Sequence, residues 1–180
     1  LTYQDKYIKK YTGGNWVDVG LQGEAGAIIG FDNQDIPYVF SGTVRKLTNG
    51  QWKDLGTRYG FSAGPVASVA SVTDGSGIAY VAYQDLVNNG KATVMKYEYD
   101  SWVNTGIVGF SADSALYISI AIKNNGVPLV VYKDKGYNGR VTVKKFSNYS
   151  WRTVGLPGFS AGEVAYTSIA INNHAVPFVV

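Results

Sequence analysis

The 180-residue chain contains no cysteine, one histidine and one methionine. Without cysteine there are no disulfides, no thiolate metal ligands and no thiol nucleophile, so stability has to come from packing. A lone histidine, His174, provides no metal-spaced histidine pair, and no serine elbow accompanies it. Charge of either sign is sparse. Sixteen basic against thirteen acidic side chains leave a net charge of +3, too small and too dispersed to argue for nucleic acid. No apolar run approaches the roughly 18 residues of a membrane-crossing helix, and the first residues lack the charged-then-apolar plan of a signal peptide. Neither nucleic acid nor membrane insertion is expected, and no cofactor or metal.

Glycine (22) and tyrosine (14) are abundant, a combination that suits many short strands joined by tight turns with aromatics between sheets. The four tryptophans reveal the organisation. Trp16, Trp52, Trp102 and Trp151 each precede a glycine four residues later (Gly20, Gly56, Gly106, Gly155), and each follows a lysine six residues earlier (Lys10, Lys46, Lys96, Lys145). Phe61-Ser62-Ala63, Phe110-Ser111-Ala112 and Phe159-Ser160-Ala161 recur every 49 residues. A period near 50 residues built of short strands belongs to propellers and related arrays.

Between Trp102 and Trp151 the pattern predicts strands at 118–122, 128–132 and 141–146, with Pro128 placed first where no ladder donor is lost. Small residues in Ser68-Val69-Ala70, Ser119-Ile120-Ala121 and Ser168-Ile169-Ala170 suit the innermost strand, and the tryptophans suit the outermost, where the wedge between sheets is widest. The expected fold is an all-β propeller of four-stranded antiparallel blades in a single domain spanning 1–180. Its repeat units are about 16–51, 52–101, 102–150, and 151–180 together with 1–15. Tyr3-Gln4-Asp5 matches Tyr83-Gln84-Asp85, whereas Pro177-Phe178-Val179-Val180 matches Pro128-Leu129-Val130-Val131. Both ends therefore read as parts of the same strand. A processed or truncated product is expected, and the termini are expected to join as half-blades closing a four-bladed ring, with a window cut from a longer array as the rival.

Deviations from the repeat point to the site. The unit from Trp16 to Trp52 spans 36 residues against 49 from Trp102 to Trp151, and part of the loss falls in the loop after its third strand. Two other units keep that loop long, holding Tyr83, Asp85, Asn88, Asn89 and Lys91 in one and Tyr132, Asp134, Tyr137, Asn138 and Arg140 in the next. Aromatic faces beside carboxylate, amide and guanidinium groups suit sugar hydroxyls, so Tyr83, Asp85, Asn88, Tyr132, Asp134, Tyr137, Asn138 and Arg140 form the candidate ligand site. The competing account is that turns require Asp and Asn and that the tyrosines end core strands. Lys10, Lys46, Lys96 and Lys145, with Lys9, Arg45 and Lys144, could form a basic rim for an anionic ligand, or simply lay their stems along the wedge between blades. His174 reads as a turn residue. Asp32-Asn33-Gln34-Asp35 lacks the spacing of a calcium loop and reads as a turn, and Asn148-Tyr149-Ser150 fits a glycosylation acceptor. Ring-facing carboxylates could serve a glycosidase pair, yet Asp5, Asp85 and Asp134 are repeat positions, which favours turn geometry.

The set W-x-x-x-G, F-S-A-G, S-I-A, Pro-apolar-Tyr-x-Asp and T-V-x-K-aromatic resembles the tandem β-propeller repeats of bacterial secreted and surface proteins, and more loosely the propeller lectins. The resemblance implies a non-enzymatic extracellular or cell-surface binding or scaffold module, with carbohydrate or a cell-surface glycan as the leading partner. A glycan-acting hydrolase, or a structural piece of a larger array or assembly held to a protein partner or further blades, are the alternatives. If Trp102 fills a wedge between blades, Trp102→Ala is expected to cost about 3–5 kcal/mol in denaturant unfolding; an unchanged midpoint would sink that placement.

Overall fold

The computed structural model describes residues 8–19, 27–40, 42–56 and 60–180. Three four-stranded antiparallel sheets follow one another along the chain. The first holds β3 (Ala27–Phe31), β4 (Pro37–Phe40), β5 (Val44–Thr48) and β6 (Gln51–Asp54). The second holds β7 (Val66–Thr73), β8 (Ala79–Asp85), β9 (Lys91–Glu98) and β10 (Ser101–Asn104), and the third β11 (Ala115–Ile122), β12 (Pro128–Asp134), β13 (Arg140–Ser147) and β14 (Ser150–Thr153). A two-stranded sheet flanks each end of the series: β1 (Lys9–Thr12) with β2 (Asn15–Asp18), and β15 (Ile169–Ile171) with β16 (Pro177–Val179).

Each tryptophan strand is the last strand of its sheet, so the Trp-to-Trp unit straddles two sheets, giving the outer strand of one and three strands of the next. The opposite edges β3, β7, β11 and β15 lie side by side. Thr73 Oγ1 donates to the Phe31 carbonyl (3.2 Å), Tyr117 N to Ser68 Oγ (3.1 Å), and Ile169 N to Ser119 Oγ (3.3 Å). Small residues at these edges let the sheets converge, as the repeat pattern requires. The register of the Ser-x-Ala segments is nevertheless displaced from the sequence expectation. Ala70 faces Ala82 and Ser119 faces Val131, and Ala82 and Val131 are equivalent positions 49 residues apart. Ser119 therefore corresponds to Ala70, and Ser68 corresponds to Tyr117. A bulge sits at the same place in each strand, between Ala67 and Ala70 and between Leu116 and Ser119.

The middle strands β8 and β12 are buried along their whole length, and their period of two distributes the core. Tyr80 and Ala82 face the third sheet, packing with Phe110, Ile118, Val130 and Tyr132. Ala79, Val81 and Tyr83 face the first sheet with Tyr38, Val44 and Phe61. Leu129 and Val131 meet Ile169 on the far side. Each such side chain contributes about 1.5–3 kcal/mol of burial, and neither face of a sheet is covered without a neighbour.

The joining expected of the termini is not shown: among the described residues no closed ring is present, and β1 pairs with β2 and β16 with β15 as separate sheets. Tyr3, Gln4 and Asp5, on which part of that expectation rested, lie outside the described residues, as does Gly20.

The tryptophans bind sheet to sheet. Trp52 Nε1 donates to the Val19 carbonyl (3.1 Å), Trp102 to Leu55 (2.8 Å) and Trp151 to Thr105 (2.8 Å). The glycine beside each acceptor explains the W-x-x-x-G spacing. A Cβ on Gly106 (φ +81°) would stand 2.6 Å from the Phe146 ring and 3.2 Å from the Trp151 indole, and on Gly56 it would stand 2.6 Å from Trp102. Gly106→Ala therefore combines left-handed backbone strain with an overpacked wedge, and is expected to cost about 2–4 kcal/mol in urea unfolding. A cost below about 1 kcal/mol would show that the indole tolerates a side chain there.

Candidate functional site

The two long loops, Asp85–Lys91 and Asp134–Arg140, join β8 to β9 and β12 to β13 at the same end of neighbouring sheets and share one construction. Asp85 begins a 3-10 turn, Leu86–Asn88, and accepts from Val87 N (3.2 Å), Asn88 Nδ2 (2.8 Å) and Thr93 Oγ1 (3.1 Å). Asp134 begins its counterpart, Lys135–Tyr137, and accepts from Gly136 N (3.1 Å). Asn89 and Asn138 close the turns in the left-handed conformation, which asparagine tolerates. Threonines then tie each loop to the next connection: Gly109 N donates to Thr93 Oγ1 (2.9 Å) and Gly158 N to Thr142 Oγ1 (3.0 Å).

This construction divides the eight residues singled out by the sequence. Tyr83 and Tyr132 are core side chains whose rings pack between sheets. Burial foremost, then the nearby carboxylates Asp85 and Asp134, drive both phenols far above their ordinary range. Asp85 and Asp134 are themselves buried and engaged in the turns. The loops leave Tyr137, Asn138 and Arg140 exposed and Asn88 half-buried. Tyr137 lies against Gly158, and Asn88, its counterpart, lies beside Gly109. The two loop corners are thus alike in backbone and different in chemistry, an amide in one and an aromatic ring in the other.

A second group at this end escaped the sequence reading. Ser68, Tyr117 and Tyr166 are spaced by 49 residues and share left-handed backbone, with φ of 45°, 50° and 56°. For tyrosine that conformation is strained, and strain of this kind gathers at functional positions. Tyr117 and Tyr166 are exposed, with ring centroids 4.9 Å apart. Lys133 Nζ lies 5.7 Å from the Tyr117 ring centre and 2.6 Å from Glu163 Oε1, and Lys135 Nζ is 3.8 Å from the same oxygen. The hydrogen bond from Lys133, then the charges of Lys133 and Lys135, hold the Glu163 carboxyl below its ordinary range. Glu163 also borders the Gly139 turn, so this patch is continuous with Tyr137, Asn138 and Arg140. The 49-residue offset was the signal available for it, hidden by the two-residue displacement of the Ser-x-Ala segments.

The remaining candidates resolve locally. Lys9 pairs with Asp18 (2.6 Å), Arg45 with Asp54 (2.6 Å), Lys46 with Asp32 (2.8 Å) and Lys96 with Glu98 (2.6 Å), while Lys144 Nζ donates to the Phe110 carbonyl (3.1 Å). Lys9, Arg45, Lys46 and Lys96 are thus engaged with carboxylates of their own sheets or hairpins. Asp32 Oδ1 accepts from Gln34 N and Ile36 N, both at 2.9 Å, the same turn that Asp74 and Asn172 make. Burial raises the Asp32 carboxyl, but Lys46 and those two N–H groups together bring it below its ordinary value. His174 lies in the Asn172 turn. Among the described residues no cluster of three or more His, Cys, Asp or Glu side chains could hold a metal, and no helix is long and apolar enough to cross a membrane.

No protein-family profile matches the chain, and no curated protein matches it. Among solved structures it is similar to a fucose lectin from Kordia zhangzhouensis, determined in complex with methyl-fucoside. The identity is 17%, the TM-score 0.47, and the match covers 71% of this chain and 96% of the lectin.

Burial, opposed by hydrogen bonds and by Lys144, raises the Asp134 carboxyl above its ordinary value. Its contribution is then fully present below the unfolded carboxylate value of about 3.9 and lost as pH rises through the folded value. Asp134→Asn, which keeps an acceptor for Gly136 N, is expected to be at least as stable as the parent at pH 7 and to lose less between pH 4 and 7. Asp134→Ala should cost about 1–2 kcal/mol through the lost cap. Urea unfolding at both pH values tests this, and an Asn variant weaker than the parent at pH 7 would refute it.

Proposed function

We propose that the chain is a non-enzymatic carbohydrate-binding scaffold working outside the cell or at its surface. The observation that carries this reading is the exposed Tyr117–Tyr166 pair, two rings held at equivalent inner-edge positions by strained backbone. Paired tyrosines offer apolar faces to the C–H side of a pyranose. Lys133, Lys135 and Glu163, with Tyr137, Asn138 and Arg140 at the neighbouring turn, supply donors and acceptors that fix hydroxyl orientation. In this reading the architecture is a propeller, and β15–β16 and β1–β2 are the inner and outer halves of one further four-stranded sheet. The strand order supports it: the described inner edges adjoin on one side and the tryptophan strands lie on the other. A glycosidase built on Asp85 and Asp134 is disfavoured because both are buried and engaged in turns.

A glycan array followed by a turnover assay on the oligosaccharides that bind should give retention without product. Tyr117→Gly relieves the left-handed strain, so its stability is expected to be unchanged or higher by about 1 kcal/mol, while affinity falls at least about tenfold with the lost ring. Full binding by both Tyr117→Gly and Tyr166→Gly would remove the patch from the reading, and product release would overturn its non-enzymatic part.

A further inference from the structure

The indole-to-carbonyl series has one unfilled place at each end. In the three filled junctions the acceptor lies three residues after the neighbouring sheet's tryptophan: Val19 after Trp16, Leu55 after Trp52, Thr105 after Trp102. The next acceptor in that series is Val154, three residues after Trp151. Beside it, Gly155 has the same left-handed backbone (φ +72°), but nothing among the described residues lies within 4 Å of where its Cβ would be. The phenylalanine that walls the Trp102 and Trp151 junctions has a counterpart at this place in Phe159. Phe61 and Phe110 are 4% and 8% exposed against Trp102 and Trp151, whereas Phe159 is 51% exposed. Gly155, Phe159, Val154, Leu156, Val143 and Phe178 line an open cleft of about 450 Å³.

The other end carries the matching shape. In two of the three filled junctions the tryptophan arrives with an aromatic partner from the adjacent strand, Tyr97 with Trp102 (5.3 Å) and Phe146 with Trp151 (5.4 Å), while Trp52 faces Leu47. Tyr11 and Trp16 form the same pair at 5.5 Å, and Trp16 is 66% exposed where Trp151 is 9%. The backbone edges correspond as well. Leu129 and Val130 of β12 pair with Lys145 and Lys144 of β13, which places Phe178 and Val179 of β16 opposite Lys10 and Lys9 of β1 in the equivalent register. Among the described residues no strand pairing joins the two ends, and each is already anchored: β1–β2 by the Trp52–Val19 bond and β15–β16 by the Ile169–Ser119 bond.

Resting on the propeller reading, we propose that the occupant of the Gly155–Phe159 socket is the Tyr11/Trp16 hairpin of a second copy of this chain. Trp16 Nε1 donates to the Val154 carbonyl, and β16 of one copy pairs with β1 of the other to complete a four-stranded sheet. Each junction is heterologous, and a half-turn between two copies closes it reciprocally. The closed assembly has eight sheets, at the upper end of the propeller range of roughly four to eight. No end has to leave its existing anchor.

The test is sedimentation of the full chain at tens of micromolar, with hydrogen exchange of the indole N–H groups, Trp16 being assigned by its loss in Trp16→Phe. The expected result is twice the 19.4 kDa chain mass, with the Trp16 indole exchanging at least about tenfold more slowly than in a Trp16-exposed monomer. Trp16→Ala and Gly155→Val should each yield monomers that keep the slow Trp102 and Trp151 indoles, and mixing the two variants should restore a weaker heterodimer through the one intact junction. A monomer with a protected Trp16 indole overturns the proposal in favour of closure within one chain and leaves the propeller reading standing. A monomer with a fast-exchanging Trp16 indole overturns both. A dimer insensitive to both substitutions overturns the proposal.

Discussion

One contact organises this protein: an indole N–H reaching across to a backbone carbonyl of the neighbouring sheet, over a glycine that leaves room for the ring. The hydrogen bond alone is worth about 1 kcal/mol net. Its structural weight comes from what it positions. Trp151 lies stacked on Phe110, with ring centroids 4.2 Å apart, and tilted against Phe146. The wedge that opens between twisted sheets toward their outer strands is thereby filled with aromatic surface. At the inner edges the sheets are held by small side chains and serine or threonine hydroxyls. Aromatic side chains at the tryptophan edge and small residues at the opposite edge give each sheet a taper.

The middle strands are buried on both faces, so their tyrosines cannot present rings to a ligand, and the aspartates ending them are absorbed by turns. Chemistry is left to positions where the repeat tolerates variation. At the turn corner, Asn88 in one sheet is replaced by Tyr137 in the next. At the left-handed position, which is a bulge in β7 and β11, Ser68 is replaced by Tyr117 and Tyr166. The bulge points a residue out of the ladder at the cost of left-handed backbone, and where that residue is tyrosine the strain brings two rings together at the surface beside Lys133 and Glu163.

Much of the fold was legible from spacing. The order of strands, the outer place of the tryptophans, the inner place of the small-residue strand and the shortened β4–β5 connection all follow from the repeat. The candidate site was legible less fully. The two long connections stand where the spacing put them, but Tyr83, Asp85, Tyr132 and Asp134 are buried, and a sequence does not distinguish a strand-end tyrosine in the core from one facing solvent. Tyr117 and Tyr166 stayed hidden because aligning serine with serine displaced one strand by two residues. A bulge residue also carries no composition signal when it is neither glycine nor asparagine.

The sequence by itself determined the all-β class, the period, and the need for glycine four residues after each tryptophan, since these follow from local turn chemistry and from repetition. Only the tertiary structure decided that the glycine serves the next sheet's indole, that the aspartates cap turns, and that β1–β2 and β15–β16 stand as separate sheets. The reason is physical. Spacing along a chain encodes which strand a residue occupies and which face it shares, while burial and vacancy depend on the neighbouring sheet. That is why Gly106 and Gly155, alike in sequence context, differ in having an indole against one and open space beside the other.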